Sequence, residues 1–197
     1  VAHLTDTRGP RGPLTIVVDH VPLLAPGDHL TIDLGQARLW TTPAAPSLAT
    51  GRQIREACDA VRPHAWNDPR ALQLGTAPFA ELARDLVDRG PGLTPAGADA
   101  ITGYVYALRG LSSAPAPLTS ELPHPQSEPA RSLLRAADDG EAFAAVAGML
   151  ATLVRADGAS LGAAMRRLTR LGRTTGRAYL TGIVCALTRP GGPAERG

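Results

Sequence analysis

The chain has 197 residues, of which 44% are hydrophobic and 19% charged, and this composition is typical of a soluble globular domain and excludes a disordered chain. Its net charge is only +2, so the molecule as a whole is not built to bind polyanions, and its 20 basic residues are all arginine. Because lysine is absent, the sequence excludes a pyridoxal phosphate Schiff base, a P-loop lysine and a biotin or lipoyl attachment site.

The first 45 residues have the pattern of β structure. A β-branched run at residues 14–19 and the alternation of apolar and polar residues at 30–34 are typical of short strands. A Gly-Gln pair at 35–36 predicts a hairpin turn. The sequence therefore predicts a small N-terminal β element, a hairpin or partial barrel, over residues 1–45.

From residue 50 onward the apolar residues recur at helical spacing, which predicts a larger helical domain over residues 50–189 and a flexible tail at 190–197. Seven helices are predicted, starting near Thr50, Thr76, Thr94, Ser127, Glu141, Ser160 and Thr174. Residues 111–126 form a Ser/Pro-rich connection that is either mobile or functional. The expected class is α+β, with the β element packed on the helical domain.

Two of the predicted helices repeat each other. Residues 97–108 align without gaps on residues 176–187, with Gly, Thr-Gly, Val and Ala-Leu at identical spacing. Glycine inside a helix is about 1 kcal/mol less favourable than alanine, so two glycines in each copy need a structural reason. Small residues let backbones approach closely, so the two segments are expected to be adjacent and pseudo-symmetric.

The starts of the two repeated helices form a candidate anion site. A helix N-terminus offers unpaired N–H groups and about half a positive charge. Both starts are rich in glycine and threonine, and Arg173 or Arg177 could pair with a bound carboxylate or phosphate. The alternative is that the glycines only allow capped core helices to cross tightly, with no ligand.

A resemblance to a known family rests on the same residues. Residues 90–99, Gly-Pro-Gly-Leu-Thr-Pro-Ala-Gly-Ala-Asp, followed by an apolar helix, resemble the glycine-rich signature of the AllH-type family, which includes the AllH subunit of oxamate carbamoyltransferase. Residues 171–182 resemble a later signature of that family, and residues 66–69 resemble its W-D-P element. The resemblance extends from residue 14 to residue 187. It implies carbamoyl transfer by an enzyme with partner subunits.

The sequence departs from the family pattern at four positions. The paired aspartates of the family become Ala98 and Asp99, its histidine becomes Arg173, its serine becomes Thr175, and its later aspartate becomes Ala178. Two carboxylates are thus replaced and an arginine is gained, which favours the binding of an anion. The chain is similar to a diverged or repurposed member of the family.

The leading functional hypothesis is an enzyme or enzyme subunit that handles a small anionic carbonyl compound, with carbamoyl transfer implied by the resemblance. Asp99 would orient an amide or act as a base, and Arg173 would stabilise developing negative charge. The residues expected to bind substrate are Gly92, Leu93, Thr94, Gly97, Thr174, Thr175, Gly176 and Arg177. The alternatives are a catalytically degenerate subunit that needs a partner and, third, a nucleic-acid-binding protein with an arginine stripe.

The remaining residues indicate few other chemistries. Cys58 and Cys185 have no metal-ligand spacing and are interpreted as buried, reduced thiols. The five histidines show no i,i+4 pairs, so neither a metal nor a cofactor is predicted. No apolar run is long enough to cross a bilayer, so we expect a cytoplasmic protein without membrane contact. The expected partners are a small anion and either a partner subunit or a second copy of the chain, and nucleic acid is the least favoured alternative.

Overall fold

The computed structural model of the protein describes residues 3–5, 12, 15–17, 25, 47–111, 123–172 and 174–195. Seven α-helices dominate these residues: α1 Gly51–Val61, α2 Phe79–Leu86, α3 Ala96–Leu111, α4 Glu128–Asp138, α5 Ala144–Val154, α6 Gly158–Thr169 and α7 Thr175–Thr188. Short 3₁₀ turns lie at Arg62–His64, Ala71–Gln73 and Pro193–Glu195. None of these described helices is both long and apolar enough to cross a membrane.

The expected α+β class is wrong. In the described part of the chain the core is helical, and the strands are two segments of three residues, β1 (His3–Thr5) and β2 (Thr15–Val17). They pair in parallel, with His3 opposite Thr15, so they are not the two arms of a hairpin, which would run antiparallel. Within the run at 14–19 the described residues are 15–17, which are extended, and strands of three residues are too short to form a barrel. The hairpin expected at residues 35–36 lies outside the described residues.

Helices α3 and α7 form the centre of the core. Both are mostly apolar and almost entirely buried, as is typical of helices at the centre of a core. Helix α4 packs on α3, α1 packs on α7, and α5 and α6 pack on each other and on α7. Both cysteines, Cys58 and Cys185, are free and buried, as predicted. The surrounding helices therefore position a central pair that comes from the repeated segments.

The contact between α3 and α7 is reciprocal. A Cβ at Gly103 would lie 2.5 Å from the carbonyl oxygen of Tyr179, and a Cβ at Gly182 would overlap the carbonyl oxygen of Ala100. In the gapless repeat, Gly103 corresponds to Gly182 and Ala100 corresponds to Tyr179. Each copy thus contributes a glycine that packs against the other copy's backbone, the arrangement found in a two-fold symmetric interface. A side chain would not fit at the second glycine of either copy, because the backbones of α3 and α7 are in contact there.

The capping signals were only partly correct. Thr50 and Gln53 form a capping box at the start of α1, and the Ser127 side chain caps α4. Thr76 does not cap α2, because its hydroxyl donates to the carbonyl of Gln73 and α2 begins after a proline. Helix starts were thus predicted to within a few residues, but not always with the correct cap.

The C-terminal turn packs against the first helix. The guanidinium of Arg55 donates to the carbonyl of Ala194 at 3.0 Å and pairs with the carboxylate of Glu195. Pro193 and Ala194 are buried. This turn therefore extends the surface that covers α1.

Candidate functional site

The loop at residues 90–95 leads into α3 and is closed by backbone geometry. The amide of Gly97 donates to the carbonyl of Arg89 at 2.9 Å, so the two ends of the loop lie next to each other. Gly90 and Gly92 have φ angles of +93° and +117°, which favour glycine. Leu93, at the tip, is 63% exposed, and its carbonyl accepts a hydrogen bond from Ser127 at the start of α4. The glycine-rich signature therefore builds a compact, anchored loop.

Two threonines from distant segments meet at one buried carboxyl group. The hydroxyl of Thr94, which ends the loop, donates to Oδ2 of Asp99 at 3.3 Å. The hydroxyl of Thr175, in the first turn of α7, also hydrogen-bonds to Asp99. Asp99 lies in the first turn of α3 and is only 1% exposed, while both threonines are half-buried. We call Thr94, Asp99 and Thr175 the threonine–aspartate cluster.

Burial dominates the electrostatics of this cluster. It raises the pKa of Asp99 to about 7, although the hydroxyls of Thr175 and Thr94 stabilise the carboxylate and oppose that rise. The positive end of the α3 dipole also favours negative charge at this position. The fully covered phenol of Tyr179 lies close enough for the charge of Asp99 to raise its pKa further. Near neutral pH the Asp99 carboxyl can therefore either accept or release a proton.

The first glycine of each repeat does not pack against the other repeat, as the sequence suggested, but against the preceding helix. A Cβ at Gly97 would overlap the carbonyl oxygen of Leu86 in α2, and one at Gly176 would overlap that of Leu168 in α6. Each of these glycines thus lets its helix start against the last turn of the preceding helix. The two helix starts meet through Thr94 and Thr175 on Asp99, and not through Gly97 and Gly176.

Arg177, one of the two predicted arginines, is not part of the observed cluster. Arg177 is exposed, and its guanidinium donates to the carbonyls of His64 and Ala65 at 3.1 and 3.4 Å. Arg173 lies outside the described residues. Thr174 is half-buried, and its carbonyl accepts the amide of Ala178 in the first turn of α7. In this structure Arg177 braces the segment before Trp66.

The W-D-P element is attached to α7 and to the segment that precedes α3. The amide of Trp66 donates to the hydroxyl of Thr181 in α7 at 2.9 Å. Asp68 accepts backbone amides at the following turn and pairs through Oδ2 with Arg89, 3.6 Å away, just before the loop at 90–95. Thr181 and Tyr179 were not predicted to belong to the site. Thr181 had a signal in the Thr-Gly pair that recurs in the repeat, whereas Tyr179 aligns with Ala100 and had none.

No group of three or more His, Cys, Asp or Glu side chains that could hold a metal ion occurs in the described ranges. The polar groups of the cluster are hydroxyls, a carboxyl and the backbone amides of two helix starts. Such groups form hydrogen bonds to small polar or anionic molecules.

The comparison with protein families identifies the chain. Residues 86–187, just over half of its length, match the family described as oxamate carbamoyltransferase subunit AllH. The chain therefore belongs to this family, as the glycine-rich signature indicated. The matched range runs from the end of α2 to the end of α7 and includes the whole threonine–aspartate cluster. No curated protein and no solved structure matches the chain.

Proposed function

We propose that this chain is one subunit of a carbamoyltransferase-type enzyme, and that it binds a small anionic carbonyl compound at the meeting point of the α3 and α7 starts. The family is named for a subunit of oxamate carbamoyltransferase, which supports both the reaction class and the need for a partner subunit. Oxamate carries a carboxylate and an amide, so a site for it needs both hydrogen-bond donors and acceptors.

The observation that carries this proposal is the convergence of Thr94 and Thr175 on Asp99. Helix capping alone would need one polar side chain at each start, and neither threonine is spent on that role. A hydroxyl that donates to a carboxylate has its direction fixed, and its oxygen can still accept a hydrogen bond from an amide N–H group. Asp99 is then a positioning residue that acts through the two hydroxyls.

Donors for the carboxylate would come from the backbone and from Arg173. First-turn amides and the helix dipole favour a bound anion at each start. Arg173 precedes Thr174 directly in the chain, and we propose it as the cationic partner of the ligand. Arg173→Ala should abolish ligand binding. Arg173→Lys should restore only a small part of it, because an ammonium group cannot form two parallel hydrogen bonds to a carboxylate.

Calorimetric titration of oxamate into the enzyme assembled with its partner subunits tests the proposal. Thr175→Val should weaken oxamate binding about tenfold, the loss expected for one hydrogen bond to a charged ligand. Thr188→Val is the matched control, because that hydroxyl lies at the other end of α7 and donates to the carbonyl of Val184. Equal affinities for the wild type, Thr175→Val and Thr188→Val would contradict the proposal.

The burial of Asp99 favours a second candidate, a subunit that binds but performs no chemistry. At 1% exposure, the Asp99 carboxyl makes its hydrogen bonds to protein hydroxyls and has no open path to a ligand. If Asp99 acts only by positioning, Asp99→Asn should raise KM and leave kcat nearly unchanged. If Asp99 is a general base, the same variant should lower kcat by about 10²–10⁴-fold.

A further inference from the structure

Positive charge is concentrated in the segment that contains α5, α6 and the start of α7. Residues 142–188 contain six arginines and one acidic residue, Asp157, whereas residues 47–111 contain seven arginines and seven acidic residues. The salt bridges seen among the described residues all use arginines from outside residues 142–188. The arginines that the structure describes in this segment therefore form no salt bridge with the described acidic residues.

Helix α6 presents most of these charges to solvent. Only two of its 12 residues, Ala164 and Leu168, are buried. Arg166, Arg167 and Arg170 are exposed around its second half. Three like charges this close repel one another, and among the described residues no salt bridge offsets that repulsion, although the negative end of the α6 dipole reduces it. The exposed face of α6 therefore has the charge pattern of a surface that binds an acidic partner.

A small groove of about 80 Å³ lies between α5 and α6. It is lined mainly by small residues, which include Ala144, Gly148 and Ala163, and Arg167 also lines it. A Cβ at Gly148 would meet no atom within 4 Å, so no neighbour in the fold requires a glycine there. The groove thus has room for a small side chain from another molecule.

We propose that the exposed face of α6 and the α5/α6 groove bind an acidic segment of a partner subunit. The inference rests on the proposed function, in which the chain is a subunit of a larger enzyme, and it specifies which face the partner covers. The C-terminal turn of α6 packs against Gly176, so a partner bound here borders the start of α7 and the threonine–aspartate cluster. A ligand at the cluster would then lie close to the contact between the subunits.

A protein partner fits this face better than a nucleic acid. Both aromatic residues of the segment, Phe143 and Tyr179, are buried, so no ring is available there for stacking with bases. The groove also admits side chains, whereas a phosphate backbone would need only a continuous basic surface. Nucleic acid binding is therefore an outcome that the experiment must distinguish.

The first measurement is the fluorescence anisotropy of a labelled peptide of alternating glutamate and alanine, at low salt. The triple variant Arg166→Gln/Arg167→Gln/Arg170→Gln should bind the peptide about tenfold more weakly than the wild type, as expected for three exposed charge pairs. A control triple variant with Arg52→Gln, Arg62→Gln and Arg84→Gln removes exposed arginines of α1, of the 3₁₀ turn that follows it and of α2, and it should bind like the wild type. Equal loss in both triple variants, no peptide binding, or tighter binding of a DNA duplex of the same charge would overturn the proposal.

The second measurement is co-purification of the chain with the partner subunits of the enzyme. The α6 triple variant and Gly148→Leu, which fills the groove, should both lose the partner while their thermal unfolding stays cooperative. If the wild type forms no complex, the proposed function fails, and the peptide measurement still decides the surface. If both variants assemble as the wild type does, the surface is wrong and the proposed function stands.

Discussion

The two central helices and the α5/α6 pair use glycine in opposite ways. In α3 and α7, all four glycines of the repeat are pressed against carbonyl oxygens of neighbouring helices. In α5 and α6, Gly148 and Gly158 have no atom within 4 Å of the place where a Cβ would be. Glycine in a helix is thus explained by contacts within the fold in the first region and not in the second. The glycines of the central pair are thus required by packing within the fold, whereas Gly148 and Gly158 face open space.

The largest effect is expected at the centre of the repeat. Gly182→Ala places a Cβ on the carbonyl oxygen of Ala100, and neither backbone can move away without opening the core. We expect a loss of more than about 4 kcal/mol in the free energy of unfolding, measured by urea denaturation. A loss below about 1 kcal/mol would mean that the two helices can separate freely, and the contrast between the regions would then fail.

A second effect depends on pH and belongs to the central pair alone. The pKa of Asp99 is about 7 in the folded protein and about 3.9 in an unfolded chain. Between these values the folded state keeps a proton that the unfolded state has lost, so the free energy of unfolding falls as the pH rises from about 4 to 7, by at most about 4 kcal/mol, and is constant above that range. Asp99→Asn should remove this slope.

Asp85→Asn is the control for the pH measurement, because Asp85 is exposed at the surface of α2. Its unfolding should show the same slope as the wild type. Chemical denaturation at a series of pH values measures all three proteins. If the wild type and Asp99→Asn have parallel profiles, the buried carboxyl does not titrate in this range.

The smallest effect has the opposite sign. Gly148→Ala adds a Cβ in open space within α5, so it should raise the free energy of unfolding by about 0.5–1 kcal/mol. The same denaturation experiment measures it beside Gly182→Ala. A destabilisation in both variants would show that the two regions do not differ.

Part of this structure could be predicted from the sequence. The repeat predicted that residues 97–108 and 176–187 are special, and α3 and α7 do pack together, because glycines at matched positions are needed where backbones touch. The sequence could not show which backbone each glycine contacts, and Gly97 and Gly176 contact Leu86 and Leu168. That choice depends on how α2 and α6 lie, which periodicity does not determine.

For the candidate site, the sequence indicated which residues lie together but not their burial or their hydrogen-bond partners. Thr94, Asp99 and Thr175 were singled out and lie together. The burial of Asp99 could not be anticipated, because an aspartate in a first helical turn is usually solvated. Arg177 was assigned to a ligand because its charge is visible in the sequence, whereas the carbonyls of His64 and Ala65 that it binds are common to all residues. The β element failed because a run of β-branched residues does not specify its partner strand.

The hydrogen bond between Trp66 and Thr181 spans 115 residues, and this separation has a consequence in time. At a synthesis rate of about 5–20 residues per second, the segment around Trp66 leaves the ribosome roughly ten seconds before α7 exists. During that interval α7 cannot yet cover Gly103 of α3 or hydrogen-bond to Asp99. Synthesis of α7 therefore completes the contact with α3, and a nascent chain that stops before α7 exposes this face to aggregation.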